Sequence, residues 1–222
     1  MVSLDAAPAT GGPVRVLIVP GLNNSGPGHW QTWLQAKYPG AVRVVQTAWH
    51  QPELLRWSER IAQTLARQDP ETRWVAVAHS FGCLALAHHL GLTHAKLAQG
   101  SPNSPPGAAG GIRAAFMVAP ASPDKFGIRH LLPDEPLGLN ATLVSSDTDP
   151  WMSAQEAAAW ARTWGVPCAN AGDVGHINVE SGHGPWPLAR HQVDEMIRQV
   201  MQPEARPERQ PGAVPRHWRL AL

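Results

Sequence analysis

The run Trp74-Val75-Ala76-Val77, followed at once by Ala78-His79-Ser80-Phe81-Gly82-Cys83, constrains this chain more than any other feature. A short apolar run ends in a small residue, any residue, Ser, any residue, Gly, and an apolar helical pattern begins. A chain can pass from strand to helix this abruptly only if backbones come close, so positions 78 and 82 must be small. Ser80 at the tip of such a turn is pushed out of the sheet. The N-terminus of the following helix then points at it, the arrangement of a nucleophile elbow. A serine in this place can also be a simple helix N-cap. The surroundings and the partners supplied later in the chain separate the two readings.

The surroundings favour the elbow. Residues 14–19 are a β-branched apolar run that stops at Pro20-Gly21, as a buried parallel strand does. A loop rich in Gly, Asn and Ser then leads to a helix over 29–37. A short strand is predicted at 42–46, and Leu54, Trp57, Ile61 and Leu65 recur at helical spacing over 53–67. The elbow strand covers 74–78 and its helix 80–90. Further strands are predicted at 113–118, 141–145 and 167–171. The capping-box pattern Ser153-Ala154-Gln155-Glu156 opens a helix that runs to Trp164, and a last helix ends near Met201. Strands alternating with helices predict an α/β fold: a mostly parallel sheet of about six strands, covered by helices on both faces, with right-handed crossovers. The domain spans 14–202, after a flexible N-terminus at 1–13. Residues 93–112, with their Gly-, Ser- and Pro-rich run, read as a long loop. Residues 203–222 read as a dispensable Pro/Arg-rich tail.

Composition narrows the function. The chain has 222 residues and a net charge of +1, enough for one full core and no electrostatic case for nucleic acid as partner. No apolar run reaches the ~18 residues of a membrane span, and the N-terminus lacks the pattern of a secretory signal. Cys83 and Cys168 lie far apart in apolar stretches and read as buried thiols, so a cytoplasmic location is the default. Ten Trp against one Tyr are spread along the whole chain, which favours packing over a sugar-stacking surface.

In an open parallel sheet, ligands bind at the carboxyl ends of the strands. Three of these ends carry chemistry: Ser80, the loop Ser145-Ser146-Asp147-Thr148-Asp149-Pro150-Trp151, and Gly172-Asp173-Val174-Gly175-His176. A serine hydroxyl needs a base within hydrogen-bond reach, and His176 can take its proton near neutral pH. A carboxylate must hold the imidazole in the right tautomer. Asp149 is preferred over Asp147, which can shape the turn; the residues alone leave both open. An oxyanion hole needs two convergent backbone N–H groups. Phe81 supplies one. Leu22 is the best source of the other, with Asn23 next. Asn23, His29, Trp151 and Asn178 are expected to meet substrate. His79 is expected to point away from the nucleophile, and His88 and His89 to serve packing or face solvent. No histidine pair has metal-ligand spacing, and the glycine loops lack the Walker and dinucleotide patterns, so neither metal nor cofactor is expected.

Four stretches together resemble a known family. They are Val19-Pro20-Gly21-Leu22 with Ser25-Gly26-Pro27-Gly28-His29-Trp30, the elbow at 78–83, Ser146-Asp147-Thr148-Asp149-Pro150, and the long stretch from Gly175 to Pro187. The chain resembles the small cap-less α/β-hydrolases of the retinoblastoma-binding protein nine type, in particular their bacterial branch. The resemblance implies an α/β-hydrolase fold without a cap domain and serine hydrolysis of small carboxylic ester or amide bonds. It also places the acid immediately before the loop proline, at Asp149. Leu188-Ala189 stand where the family has an acidic residue and Gly. The Leu-x-Cys-x-Glu type sequence behind the human relative's partnership is absent, so that partner does not carry over. The competing function is a non-catalytic binding module on the same fold. The residues say nothing about oligomeric state.

Overall fold

The computed structural model describes residues 12–98 and 111–202. Most of the N-terminal stretch, most of the 93–112 stretch and the whole 203–222 tail therefore lie outside the described residues. Six strands form one sheet: β1 (Val14–Val19), β2 (Val42–Arg43), β3 (Arg73–His79), β4 (Ile112–Val118), β5 (Asn140–Ser145) and β6 (Cys168–Asn170). Their order is β2-β1-β3-β4-β5-β6, and every neighbouring pair is parallel. Among the described residues the α-helices α1 (Trp30–Gln35), α2 (Leu54–Ala66), α3 (Phe81–Ala98) and α4 (Ala154–Thr163) lie between strands, and α5 (Pro187–Met201) follows β6. This is the three-layer α/β-hydrolase architecture, and no cap domain is evident among the described residues.

Strand alternation sorts the core into two layers. Leu17, Val19, Ala76, Ala78, Ala115, Met117 and Leu143 face one way and pack with residues of α2, α3 and α4. Val16, Ile18, Val75, Val77, Phe116, Val118 and Val144 face the other way and pack with α1 and α5. Both faces of the central strands are buried, which is why those strands read as unbroken apolar runs. The chain leaves β1 for β2 on one side and returns to β3 on the other. The carboxyl ends of β1 and β3 therefore flank the crevice of a topological switch point, where such sheets bind ligands.

Several boundaries differ from expectation. β2 pairs only at Val42 and Arg43, opposite Leu17 and Ile18, and stops short of 46. Helix α3 continues to Ala98, so residues 93–98 of the expected loop are helical, and 99–110 lie outside the described residues. Two 3₁₀ helices, Pro123–Phe126 and Arg129–Leu131, fill the connection between β4 and β5. Both cysteines are free thiols; Cys83 is buried, but Cys168 is only half-buried. Among the described residues no helix is long and apolar enough to cross a membrane.

Candidate active site

Ser80 sits at the junction of β3 and α3 with φ +54°, a strained left-handed conformation for a residue with a Cβ. The turn is held by Ser80 N–H donating to Val118 O (3.1 Å) and by Cys83 N–H donating to Ser80 O (3.0 Å). The need for glycine is steric and specific. A Cβ on Gly82 would lie 2.4 Å from the Pro20 carbonyl oxygen, and one on Gly21 would lie 2.7 Å from Ser80 Cβ. Gly82 is thus required by the β1 loop crossing beside the elbow, rather than by the elbow's own strand.

The loops after β3, β5 and β6 bring three side chains into line. Ser80 Oγ lies 2.9 Å from His176 Nε2. His176 Nδ1 lies 2.8 and 2.9 Å from the two carboxylate oxygens of Asp149. A carboxylate only accepts, so Nδ1 carries the proton, and Nε2 is left to accept from the serine hydroxyl. Asp149 is nearly sealed from solvent, with its side chain 2% exposed, and also accepts from Trp151 N–H (2.8 Å). Asp147 does other work: its carboxylate accepts from Asn170 Nδ2 (2.6 Å).

Hydrogen bonds join the loop that carries Asp149 to the loop that carries His176. Ser146, fully buried, donates through Oγ to Gly172 O and accepts from Thr148 N–H and Val174 N–H. Thr148 Oγ1 donates to Asp173 and accepts from Gly175 N–H. On the other side of the nucleophile, buried Gln31 donates through Nε2 to Val19 O and Val77 O and accepts from Ser25 Oγ. Arg43 donates to Asn24 Oδ1, Ser25 O and Thr32 Oγ1. Gln31 and Arg43 carry no motif of their own, and the stretch 146–150 does not by itself show what Ser146 and Thr148 bind; these contacts join segments distant in sequence.

The backbone N–H groups of Leu22 and Phe81 donate to no other described residue. Asn23 N–H donates to Trp49 O (3.0 Å), which removes Asn23 as the second candidate for the hole. His29 is the N-cap of α1: its Nδ1 accepts from Gln31 N–H (3.1 Å), and its ring sits edge-on to His79 at 4.9 Å. It is buried and neutral, its pKa lowered to about 4 by burial first and then by Arg43, His176 and His183. The expectation that His29 touches substrate thus meets a ring already engaged at the helix terminus. Asn178 is similarly occupied, its Oδ1 accepting from Ser181 N–H and Oγ in the turn beyond the histidine. Trp151 is different: it is 38% exposed, coplanar with Phe126 at 6.2 Å and 6.0 Å from the His176 ring. His79 does not simply point away. Its Nε2 lies 2.9 Å from the carbonyl oxygen of His176. Among the described residues no group of three or more His, Cys, Asp or Glu is placed to hold a metal ion.

The fold has counterparts. The chain is similar to a Pectobacterium atrosepticum protein described as a YdeN-like hydrolase, with 31% identity, a TM-score of 0.73, and coverage of 86% of this chain and 94% of that one. The ydeN gene product of B. subtilis aligns at 17% identity and a TM-score of 0.57 over 82% of this chain and 97% of its own. Acyl-protein thioesterase 2 of Zea mays shares the fold at 11% identity, a TM-score of 0.56, and 89% and 97% coverage. No curated protein matches the sequence. Residues 16–195, from the middle of β1 into α5, match the serine hydrolase family model, and the chain belongs to that family.

Proposed function

We propose that this hydrolase cleaves small carboxylic ester or amide bonds through an acyl-enzyme on Ser80. The observation that carries the reading is the unbroken relay from Ser80 Oγ through His176 to Asp149, with contacts of 2.9, 2.8 and 2.9 Å. His176 Nε2 takes the hydroxyl proton as Oγ attacks the substrate carbonyl. The backbone N–H groups of Leu22 and Phe81 are the donors assigned to the oxyanion. His176 then returns the proton to the leaving alcohol or amine, leaving the acyl ester on Ser80. Water repeats the cycle on that ester, with the same imidazole as base. Asp149 holds the tautomer and stabilises the imidazolium without itself taking the proton. The resemblance to the bacterial branch of the retinoblastoma-binding protein nine type fits this reading.

A fluorophosphonate probe tests it directly. The native chain is expected to be labelled on Ser80 and to hydrolyse members of a panel of p-nitrophenyl esters and aminoacyl amides. Ser80→Ala is expected to fold, escape labelling and lose on the order of 10⁶ in turnover. An unlabelled native chain, or a Ser80→Ala variant with native turnover, sinks the assignment.

A further inference from the structure

The segment that carries His176 is held in a conformation it would not choose. Gly175 has φ +58° and Ile177 φ +48°. Glycine tolerates this. A β-branched residue does not, and such strain persists only where surrounding structure over-determines it. Two buried side chains supply that determination. His79, the residue before the nucleophile, has Nε2 2.9 Å from His176 O. A carbonyl only accepts, so His79 carries its proton on Nε2 and donates it. Trp30, at the first turn of α1 and fully buried, donates Nε1–H to Ile177 O at 2.9 Å. The two rings meet edge to face, with centroids 6.0 Å apart at 86°. They reach the loop from two different elements and grip successive carbonyls.

We infer that His79 and Trp30 are positioning residues, a two-donor clamp that fixes the backbone of the base loop and so sets the His176 imidazole between Ser80 and Asp149. The clamp ties the base to the strand that carries the nucleophile, because His79 is the last residue of β3. Movement of the β3 end therefore carries Ser80 and His176 together. Burial of His79 suits the role: desolvation first, then the neighbouring His176 and His29, hold its pKa well below the ordinary value, so no second cation competes with an imidazolium at position 176. The inference rests on His176 being the catalytic base, and its test separates the two claims.

Three variants of the full chain serve: His79→Phe, which keeps a ring and removes the donor; His79→Gln, whose side-chain amide can place N–H near the lost Nε2; and Trp30→Phe. Two readouts apply, ester turnover and hydrogen–deuterium exchange of the 172–183 loop. His79→Phe is expected to lower kcat by up to about 10²-fold, the scale of a small misplacement of a reacting group, with KM nearly unchanged. His79→Gln should recover most of that loss. Loop exchange should quicken in His79→Phe and Trp30→Phe and stay near native in His79→Gln. Unchanged loop exchange in both donor-less variants, or a His79→Gln chain as impaired as His79→Phe, overturns the clamp. If the native chain hydrolyses nothing, the catalytic reading fails, and the exchange measurement still decides the clamp.

Discussion

Ser80 has two flanks built on opposite principles. On one side lies a polar flank of rings, His29, His79, His176 and Trp30, with successive imidazole centroids 4.9 Å apart. Directional bonds tie it down: Nδ1 of His29 accepts from Gln31 N–H, Nε2 of His79 donates to His176 O, and Nε1 of Trp30 donates to Ile177 O. On the other side lies an aromatic flank, Trp49–Trp57–Phe81–Phe126–Trp151, joined edge to face at 5.8, 5.0 and 5.0 Å and ending in the coplanar pair of Phe126 and Trp151. Directional bonds fix positions to a few tenths of an ångström. Ring packing excludes water but tolerates displacement. The polar flank is therefore suited to holding the reacting atoms, and the aromatic flank, which reaches solvent at Trp151, to receiving whatever the substrate brings. Substitutions on the first should change kcat, and substitutions on the second should change KM.

The largest expected effect lies at the far end of the polar flank. Asp149→Asn keeps the shape but offers an amide to His176 Nδ1, so the tautomer is no longer held. A loss approaching ~10⁴ in kcat/KM is expected. Asp147→Asn, two residues away, alters only the contact with Asn170 at the exposed edge of the loop and should stay within about threefold of native. Steady-state kinetics on one p-nitrophenyl ester compare the two. The reverse ranking would move the acid to Asp147 and break the assignment of the flank.

How far the two flanks could be read in the sequence follows from how local their causes are. The elbow, the strand ends and the order Ser80, Asp149, His176 were legible because each rests on a few contiguous residues with a steric or chemical requirement. The clamp was not: His79 and His176 are 97 positions apart, and Trp30 and Ile177 are 147. No periodicity records a contact that only the switch-point topology creates. β2 was read too long because a β-branched run pairs only as far as its neighbour allows, and Val45 lies 54% exposed beyond the paired residues. Helix α3 was read too short at Leu90. Gly91 weakens a helix without ending it, and here it meets Pro133, to which a Cβ would come within 3.1 Å. For Asn178 and His29, expected to meet substrate, the structure adds what no motif carries: local hydrogen bonds that engage both side chains.

Trp151 tests the aromatic flank. Removing its ring in Trp151→Ala takes away apolar surface at the mouth and the coplanar contact with Phe126, while Asp149 keeps its place through the backbone N–H of residue 151. A loss of about 1 kcal/mol, roughly fivefold in kcat/KM for aryl or longer acyl esters, is expected, most of it in KM. Acetyl esters, too small to reach the ring, should change less. A loss confined to kcat and equal for all acyl groups would show that Trp151 acts on His176, 6.0 Å away, and would erase the distinction between the flanks.

The last comparison concerns stability rather than turnover: what the polar flank confers and how it depends on pH. In the unfolded chain His29 takes up a proton near its ordinary value of 6.5; in the fold, burial first and then Arg43, His176 and His183 hold it neutral down to about 4. Between those values the unfolded state binds more protons, so acidification favours unfolding. The contribution of His29 is complete above about pH 6.5 and is lost progressively as pH falls toward 4. It is no larger than about 3.4 kcal/mol for a shift of this size. His79, lowered in the same direction, adds to the same trend. His29→Asn isolates the first group. Its amide oxygen can still accept Gln31 N–H at the start of α1, so the cap survives while the titrating ring is gone. Thermal unfolding from pH 8 to pH 4 is expected to show a melting temperature near native at the alkaline end and a shallower fall on acidification. Parallel curves for the two proteins would mean that His29 titrates alike in both states, and that the polar flank is wetter than its hydrogen bonds imply.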